Sequence, residues 1–366
     1  MTELTDDLRT GAREEDVPKA GPGRLRLALA STGLMLVLVA SMILAIGLGP
    51  AAISPSDTAR YLWAALTGGA ITADEVSTYQ IIWQIRTPRV LLAAIVGAGL
   101  SAVGVAVQAL VRNPLADPFV LGISSGASVG AVGVMITGSL AAFGVYAMSV
   151  GAFAGALLSS ILVYLAASHR AMLSPLRLVL TGVAMSFGLQ AVMSLLIYLS
   201  PNSESTSTVL YWSMGSFGAA TWSTLPIVLL AVAGGIVVLR RRSRSLDVMA
   251  LGDETAASLG TSPDRLRKEL LLLSSLTTGA MVAVSGAIGF VGLVMPHLVR
   301  LVVGARHATV TVLAALVGGI FMVWADLLAR TVVAPRELPL GVITALIGVP
   351  VFIALMRRRG YLFGSR

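Results

Sequence analysis

The sequence predicts an all-α, polytopic membrane helical bundle of about ten transmembrane helices, with both termini cytoplasmic. Three observations carry this expectation. First, of 366 residues 56% are hydrophobic and 12% are charged, with a mean hydropathy of +0.87, far from the averages of soluble domains. Second, the apolar residues come in long blocks and not in ten-residue alternating strands. Backbone amides in lipid must pair within their own segment, so such blocks fold as helices and not as a barrel. Third, if the chain starts inside and crosses ten times, 21 of its 26 lysines and arginines fall on the cytoplasmic side and five outside. That asymmetry orients membrane proteins, and gaining or losing one span would scramble it.

Residues 1–26 are polar and mixed in charge and read as a disordered cytoplasmic tail. Leu27 to Leu48 is too long for a signal-peptide core and reads as an uncleaved first span, ended by Gly49-Pro50. Ile53 to Ile85 is then an external connection. Within it Ser54 as cap and Pro55 at the first helical position predict a short amphipathic surface helix from Pro55 to Leu66, closed by Gly68-Gly69.

The stretch from Arg86 to Ala127 organises the rest. Val90 to Val111 carries no charge over a length that can span hydrocarbon, so it reads as span two. Asn113-Pro114 and Asp117-Pro118 forbid a simple continuation, because proline lacks an amide proton and pushes its predecessor out of helical geometry. A polar elbow therefore leads into span three, which is rich in glycine and serine. Span four reads as Ala141 to Ala167, with His169-Arg170 at its cytoplasmic end. Span five runs from Leu178 to Leu199 after Ser174-Pro175 and Arg177. Pro201 to Ser216 reads as a polar outer loop, whose Tyr211-Trp212 pair suits a headgroup boundary better than a ligand.

Span six, about Trp222 to Leu239, meets the basic run Arg240, Arg241, Arg242 and Arg244. The longest cytoplasmic connection follows. In it Gly252 and Gly260 bracket a helix-length piece with Asp253 as cap, and Ser262-Pro263-Asp264 starts the next helix, so two short helices should form a compact surface knob. Span seven covers about Leu270 to Ala287. Pro296 interrupts a short span eight within Gly286 to Gly304, and span nine, Thr309 to Leu328, carries Asp326 with Arg330 one turn on. Span ten runs from Leu340 to Met356 and stops at Arg357, Arg358 and Arg359.

Several chemistries are excluded. Without cysteine there is no disulfide, thiolate metal site or cysteine nucleophile. His169, His297 and His307 sit in no ligand spacing with carboxylates, so no metal site is expected. The two lysines, Lys19 and Lys268, lie in no phosphate loop, which leaves this chain without a nucleotide-hydrolysis site and predicts that it is not an enzyme. The net charge of +8 reports orientation and anionic headgroups, not nucleic acid. An ion-coupled carrier needs ionisable groups deep in the bilayer. Asp326 is the one carboxylate near a span interior, and its pairing with Arg330 is as readily structural as functional. The many small residues, Gly97, Ser101, Gly104, Gly122 and Gly126 among them, serve close helix packing.

Five blocks in order, RTPRVLLAAIVGAGLSAVGVAVQ, NPLADPFVLGISSGA, ALGDETAASLG, GAIGFVGLVMPHLVR and ELPLGVITALIGVPVFI, resemble the FecCD-like permease subunits of ABC importers for iron-siderophores, haem and cobalamin. The resemblance implies that residues 27–366 form one transmembrane permease domain with a cytoplasmic coupling loop at 245–264. It implies two ABC ATPase subunits that carry ATP and Mg, a second permease subunit, identical or paralogous, and an extracytoplasmic substrate-binding protein. It further implies the bacterial cytoplasmic membrane as the setting and a ferric siderophore, handed over from outside, as the expected cargo; the alternative is an ion-coupled secondary transporter. No cofactor is expected in the chain itself.

Carried over residue by residue, Leu251, Gly252, Asp253, Glu254, Ala257, Leu259 and Gly260 would couple to the ATPase. Arg86, Arg89 and Arg330 would face acidic residues of the binding protein, with headgroup anchoring as the other reading. Asn113 and Leu115 with Ser174, Pro175 and Leu176 would form the cytoplasmic gate. Pro175 stands where cobalamin permeases are expected to carry small hydroxyl residues. Spans five and ten would line much of the pathway.

Overall fold

A computed structural model describes residues 22–357, apart from residue 52, residues 170–171 and residues 201–202. Its helices are α1 (Pro22–Gly47), α2 (Pro55–Thr67), α3 (Val76–Gln80), α4 (Thr87–Val111), α5 (Ile123–Thr137), α6 (Ala147–Ala167) and α7 (Pro175–Tyr198), followed by α8 (Ser203–Ser213), α9 (Leu225–Met249), α10 (Asp253–Ser258), α11 (Pro263–Ser285), α12 (Val291–Val303), α13 (His307–Thr331) and α14 (Leu340–Arg357). A two-residue antiparallel hairpin, β1 (Ser168–His169) with β2 (Met172–Leu173), joins α6 to α7.

All ten expected spans are helices, and the chain is a multi-pass membrane protein. Among the described residues, six stretches are long and apolar enough to cross a bilayer by themselves. Of the other four, α5 and α12 have only 15 and 13 residues, while α9 and α11 carry charge at their cytoplasmic ends. At 1.5 Å per residue the two short helices reach about 20 Å, less than the ~30 Å hydrocarbon core, so they depend on flanking irregular chain buried in protein.

Several boundaries differ from expectation, each for an identifiable reason. The described part of helix α1 begins at Pro22, inside the stretch expected to be a tail. Residues 1–21 and 358–366, and with them the calls on the tail and on both termini, lie outside the described residues. The surface helix α2 forms as expected: the Ser54 hydroxyl accepts from Asp57 N at 3.1 Å, and Gly68 closes the helix at φ 73°.

The outer connection is shorter than expected, since Val76–Val111 is one continuous helix. Pro88 does not break it. A π-helical turn over Ile81–Arg86, in which both Thr87 N and the Thr87 hydroxyl reach the Ile82 carbonyl, rearranges the hydrogen bonding just ahead of the proline. The expected outer loop at 201–216 is largely helix α8. Its serines and threonines hide it from a search for apolar periodicity. Helix α9 runs straight through the basic residues to Met249, so the cytoplasmic connection is tighter than the sequence suggested.

Helix α4 is the central post of the bundle. It is buried along nearly its whole length and packs against α9, α11, α12 and α13. Small residues permit that approach: a Cβ on Gly104 would lie 2.0 Å from the Gly292 carbonyl oxygen, and one on Gly97 would lie 2.3 Å from that of Gly318.

Candidate functional site

The cytoplasmic knob grows directly from the sequence between α9 and α11. Gly252 takes φ 120°, a backbone turn that only glycine adopts without strain, and reverses the chain after α9. Helix α10 then makes under two turns and stops at Gly260, φ 78°. Ala256 is the one residue of the turn that is fully buried, and it seats the knob on the bundle. The second short helix expected in the knob is simply the start of α11, which continues from Pro263 into span seven.

Asp253 is not the cap that the sequence suggested. That position belongs to Gly252, and Asp253 is the first helical residue. Its carboxylate instead accepts two hydrogen bonds from Arg267 Nη2, at 2.7 and 2.9 Å, and forms an ion pair with Arg112. Arg267 is only 4% exposed and donates a further bond, 3.2 Å, to the Leu173 carbonyl oxygen of the β hairpin. The Leu173 amide in turn donates to Asp264 at 2.9 Å, and Asp264 pairs with Lys268 at 2.7 Å. Asp264 lies in the cytoplasmic first turn of α11, ahead of the apolar part of that helix. Burial there would raise its carboxyl, but hydrogen bonds from Lys268 and the Leu173 amide win and hold it below the usual carboxylate range.

These contacts bring the coupling and gate residues into one network. Arg112 is the left-handed C-cap of α4, φ 51°, and sits immediately before Asn113. Asn113 makes its own turn, its side-chain oxygen accepting from Leu115 N at 2.9 Å. Leu173 sits immediately before Ser174, the N-cap of α7, with Pro175 at the first helical position, where its missing amide costs nothing. Asp253 therefore touches, through one arginine each, the elbow that carries Asn113 and Leu115 and the strand that leads to Ser174, Pro175 and Leu176. Leu251 and Leu259 are 66% and 60% exposed beside it, and Glu254 and Ala257 also face outward. Leu176 is 67% exposed. Exposed leucines on a small cytoplasmic protrusion suit a protein partner.

Sequence reasoning missed Arg112, Arg267 and Asp264. The available signal was periodicity: Arg267, Leu270, Leu271 and Ser274 share one face of α11, and all four are buried. An arginine on the inward face needs an acceptor.

The outer arginines contradict the premise that they are accessible. Arg86, Arg89 and Arg330 are 4%, 7% and 3% exposed. Arg86 donates to the carbonyls of Ile46, Gly47 and Ala51 at 3.1, 2.8 and 2.6 Å, so it closes the end of α1. Arg89 binds both oxygens of Asp326, at 2.9 and 3.1 Å, and Glu337 at 2.8 Å. Arg330 pairs with Asp326 at 3.4 Å and donates to the Ala45 carbonyl. A buried guanidinium whose partners lie inside its own chain acts as a clamp, not as a docking contact. Asp326 has no exposed surface and faces two arginines, which is the structural alternative left open by the sequence. No group of three or more histidine, aspartate or glutamate side chains placed to hold a metal occurs among the described residues.

Comparison with known proteins extends these observations. The sequence model of the FecCD transport family matches residues 36–358. The hemin transport system permease protein of Yersinia pestis is 41% identical over 216 residues, 59% of this chain and 64% of that one. The cobalamin import system permease protein of Halobacterium salinarum is 42% identical over 221 residues, 60% and 59% of the two chains. The Fe(3+)-citrate import system permease protein of Bacillus subtilis is 38% identical over 213 residues, 58% and 63%. The matches thus span somewhat under two thirds of these relatives. A solved inward-facing conformation of a metal-chelate type ABC transporter shares the fold over 90% of this chain and 99% of its own, at a TM-score of 0.78 and 32% identity.

Proposed function

The chain belongs to the FecCD transport family, and from that premise we propose that it is the permease subunit of an ATP-driven ABC importer for a ferric siderophore. It works in the bacterial cytoplasmic membrane, receives its cargo from an extracytoplasmic binding protein and pairs with a second permease copy or paralogue. Two ATPase subunits, holding ATP and Mg, supply the motion. Relatives named for hemin, cobalamin and Fe(3+)-citrate support a large chelate as cargo. Pro175, in the place of a small hydroxyl residue, favours an iron chelate over cobalamin.

One observation carries the reading: the knob that offers Leu251 and Leu259 to a partner is wired at its base, through Asp253, to both gate segments. A push on α10 moves Asp253. Arg267 transmits that displacement to Leu173 and the start of α7, and Arg112 transmits it to Asn113. Because the Asp253 and Arg112 side chains are 45% and 32% exposed, their pairing is worth at most about 1 kcal/mol and can be exchanged during a cycle driven by ATP. The ion-coupled alternative loses its one candidate group, as Asp326 is held between Arg89 and Arg330.

The test is co-expression of the chain with the ATPase and binding-protein genes of its own locus, reconstitution in liposomes, and measurement of radioactive iron uptake. ATP-dependent accumulation of a ferric siderophore supports the proposal. Uptake driven by an ion gradient without the ATPase overturns it.

A further inference from the structure

The elbow that carries Asn113 and Leu115 is fastened on both sides to one short helix, α12. That helix begins at Phe290, whose backbone takes φ 68° and whose side chain makes no capping hydrogen bond. The first amides of a helix have no partner within it, so this start needs an acceptor from elsewhere. Asp117 supplies it. Its carboxylate accepts from the Phe290 and Leu293 amides, while its Oδ1 also accepts from Phe119 N, at 2.9 Å, in its own turn. One aspartate therefore caps two elements, the tight turn Pro118–Leu121 that follows it and, from far away in sequence, α12.

The packing around this carboxylate is close. A Cβ on Gly292 would lie 3.0 Å from Pro118 Cδ, so the return arm of the elbow rests on the first turn of α12. The leading arm is held there too, because Gln108 Nε2 donates to the carbonyl oxygens of Gly292 and Leu293 at 3.3 Å. Residues 109–116 are thus strung between two attachments to the same helical turn. Past Asp117 the chain also meets α7. A Cβ on Gly182 would lie 2.2 Å from the Val120 carbonyl oxygen, and the Ser186 hydroxyl donates to the Phe119 carbonyl oxygen at 3.3 Å. The Asp117 turn is a junction of the elbow, α7 and α12, apart from the Asp253 network, which grips the elbow at Arg112.

We propose that Asp117 is a positioning residue of the cytoplasmic gate: by capping α12 it fixes the elbow, so that Asn113 and Leu115 sit where they seal the pathway between strokes of the knob. This rests on the importer reading and adds a separate role to it. Asp253 drives the elbow through an ion pair that water can loosen, whereas Asp117 sets the place to which the elbow returns, through charge-assisted bonds to backbone amides.

Two measurements test this, one on the anchoring and one on the seal. The chain has no cysteine, so Leu115→Cys with Val302→Cys gives two unique sites for spin labels; Val302 is 84% exposed and lies at the far end of α12 from Phe290. With the full-length chain in nanodiscs, and labelled copies diluted in unlabelled ones, the distance between these sites should be narrowly distributed. Asp117→Ser keeps a hydroxyl that caps its own turn but is too short to reach α12, and should broaden the distribution. Asp117→Asn, with one acceptor oxygen in place of two, should fall between. In liposomes that hold the complete complex and are preloaded with ferric siderophore, Asp117→Ser should release cargo without ATP. The unaltered chain and Asp253→Asn should retain it, which separates a lost seal from a lost drive. Equal distance distributions in the unaltered chain and Asp117→Ser would overturn the anchoring, and a broadened distribution with cargo retained would overturn the gate role. No transport of ferric siderophore by the unaltered complex would contradict the importer reading and the gate role with it, while the distances alone would still decide the anchoring.

Discussion

Two arginine–aspartate networks hold this molecule together, one at its outer end and one at its cytoplasmic end, and they differ in burial. At the outer end Asp326 is fully enclosed and Arg89 and Arg330 are nearly so. At the inner end only Arg267 is buried, while the Asp253 and Arg112 side chains are 45% and 32% exposed. Each network joins three stretches of chain distant in sequence. The outer one ties α1, α4 and the region of Asp326 to Glu337; the inner one ties the α4 elbow, the knob and the hairpin ahead of α7. The same chemistry gives an anchor where water is excluded and a joint where water can compete for the charges.

The largest effect should come from cutting the anchor. Asp326→Ala leaves Arg89 and Arg330 in the interior without their shared counter-charge, a loss of about 3–5 kcal/mol that should appear as a collapse of folded yield and melting temperature in detergent. Asp253→Ala should cost less, about 1–3 kcal/mol by the same assay, because Arg267 is left buried but keeps its bond to the Leu173 carbonyl oxygen, and Asp253 itself is half in water. Equal melting losses would erase the distinction between the two regions.

Glycine substitutions probe the same contrast more gently. A Cβ on Gly49 would lie 2.7 Å from Arg86 Nη2, so Gly49→Ala should displace that guanidinium from its three carbonyls and lower the melting temperature. Gly260 has φ 78° but open space around it, so Gly260→Ala should cost only backbone strain of roughly 1–2 kcal/mol, confined to the knob. Hydrogen exchange would localise each change.

A smaller effect is expected from Leu251→Ser with Leu259→Ser. The fold should be untouched, while affinity for the ATPase falls on the order of tenfold, the loss typical of removing a modest interface contact. Copurification measures it. The mildest difference concerns acid. Asp264 is held below the usual carboxylate range, so its bond to the Leu173 amide persists at and above the ordinary value of about 4 and is lost as pH falls through the lowered one. The protection factor of the Leu173 amide, corrected for the intrinsic slowing of exchange in acid, should fall with acidification while the carbonyl contacts of Arg86, which involve no carboxylate, hold.

Much of the architecture was legible because its signals are local. The ten apolar blocks, the Ser54-Pro55 start of α2 and the Gly252 and Gly260 brackets all depend on neighbours in sequence, and all appear where expected. What was not legible depends on distant contacts. The continuous helix through Pro88 requires the π turn at Ile81–Arg86, and α8 has no apolar stripe to reveal it. The clamp formed by Arg86 and the pairing of Asp253 with Arg267 join residues whose proximity only packing creates. Arginines at the end of an apolar block read equally well as exposed or enclosed. The fold turned three of them inward at the outer surface, and kept Asp253 half in water.

The most direct test is the ratio of iron taken up to ATP hydrolysed, measured in liposomes containing the complete complex with either the unaltered permease or Asp253→Asn. If the knob drives the gates through this carboxylate, the variant should bind its ATPases and hydrolyse ATP at a comparable rate while moving at least tenfold less cargo per ATP. An unchanged ratio would contradict the account.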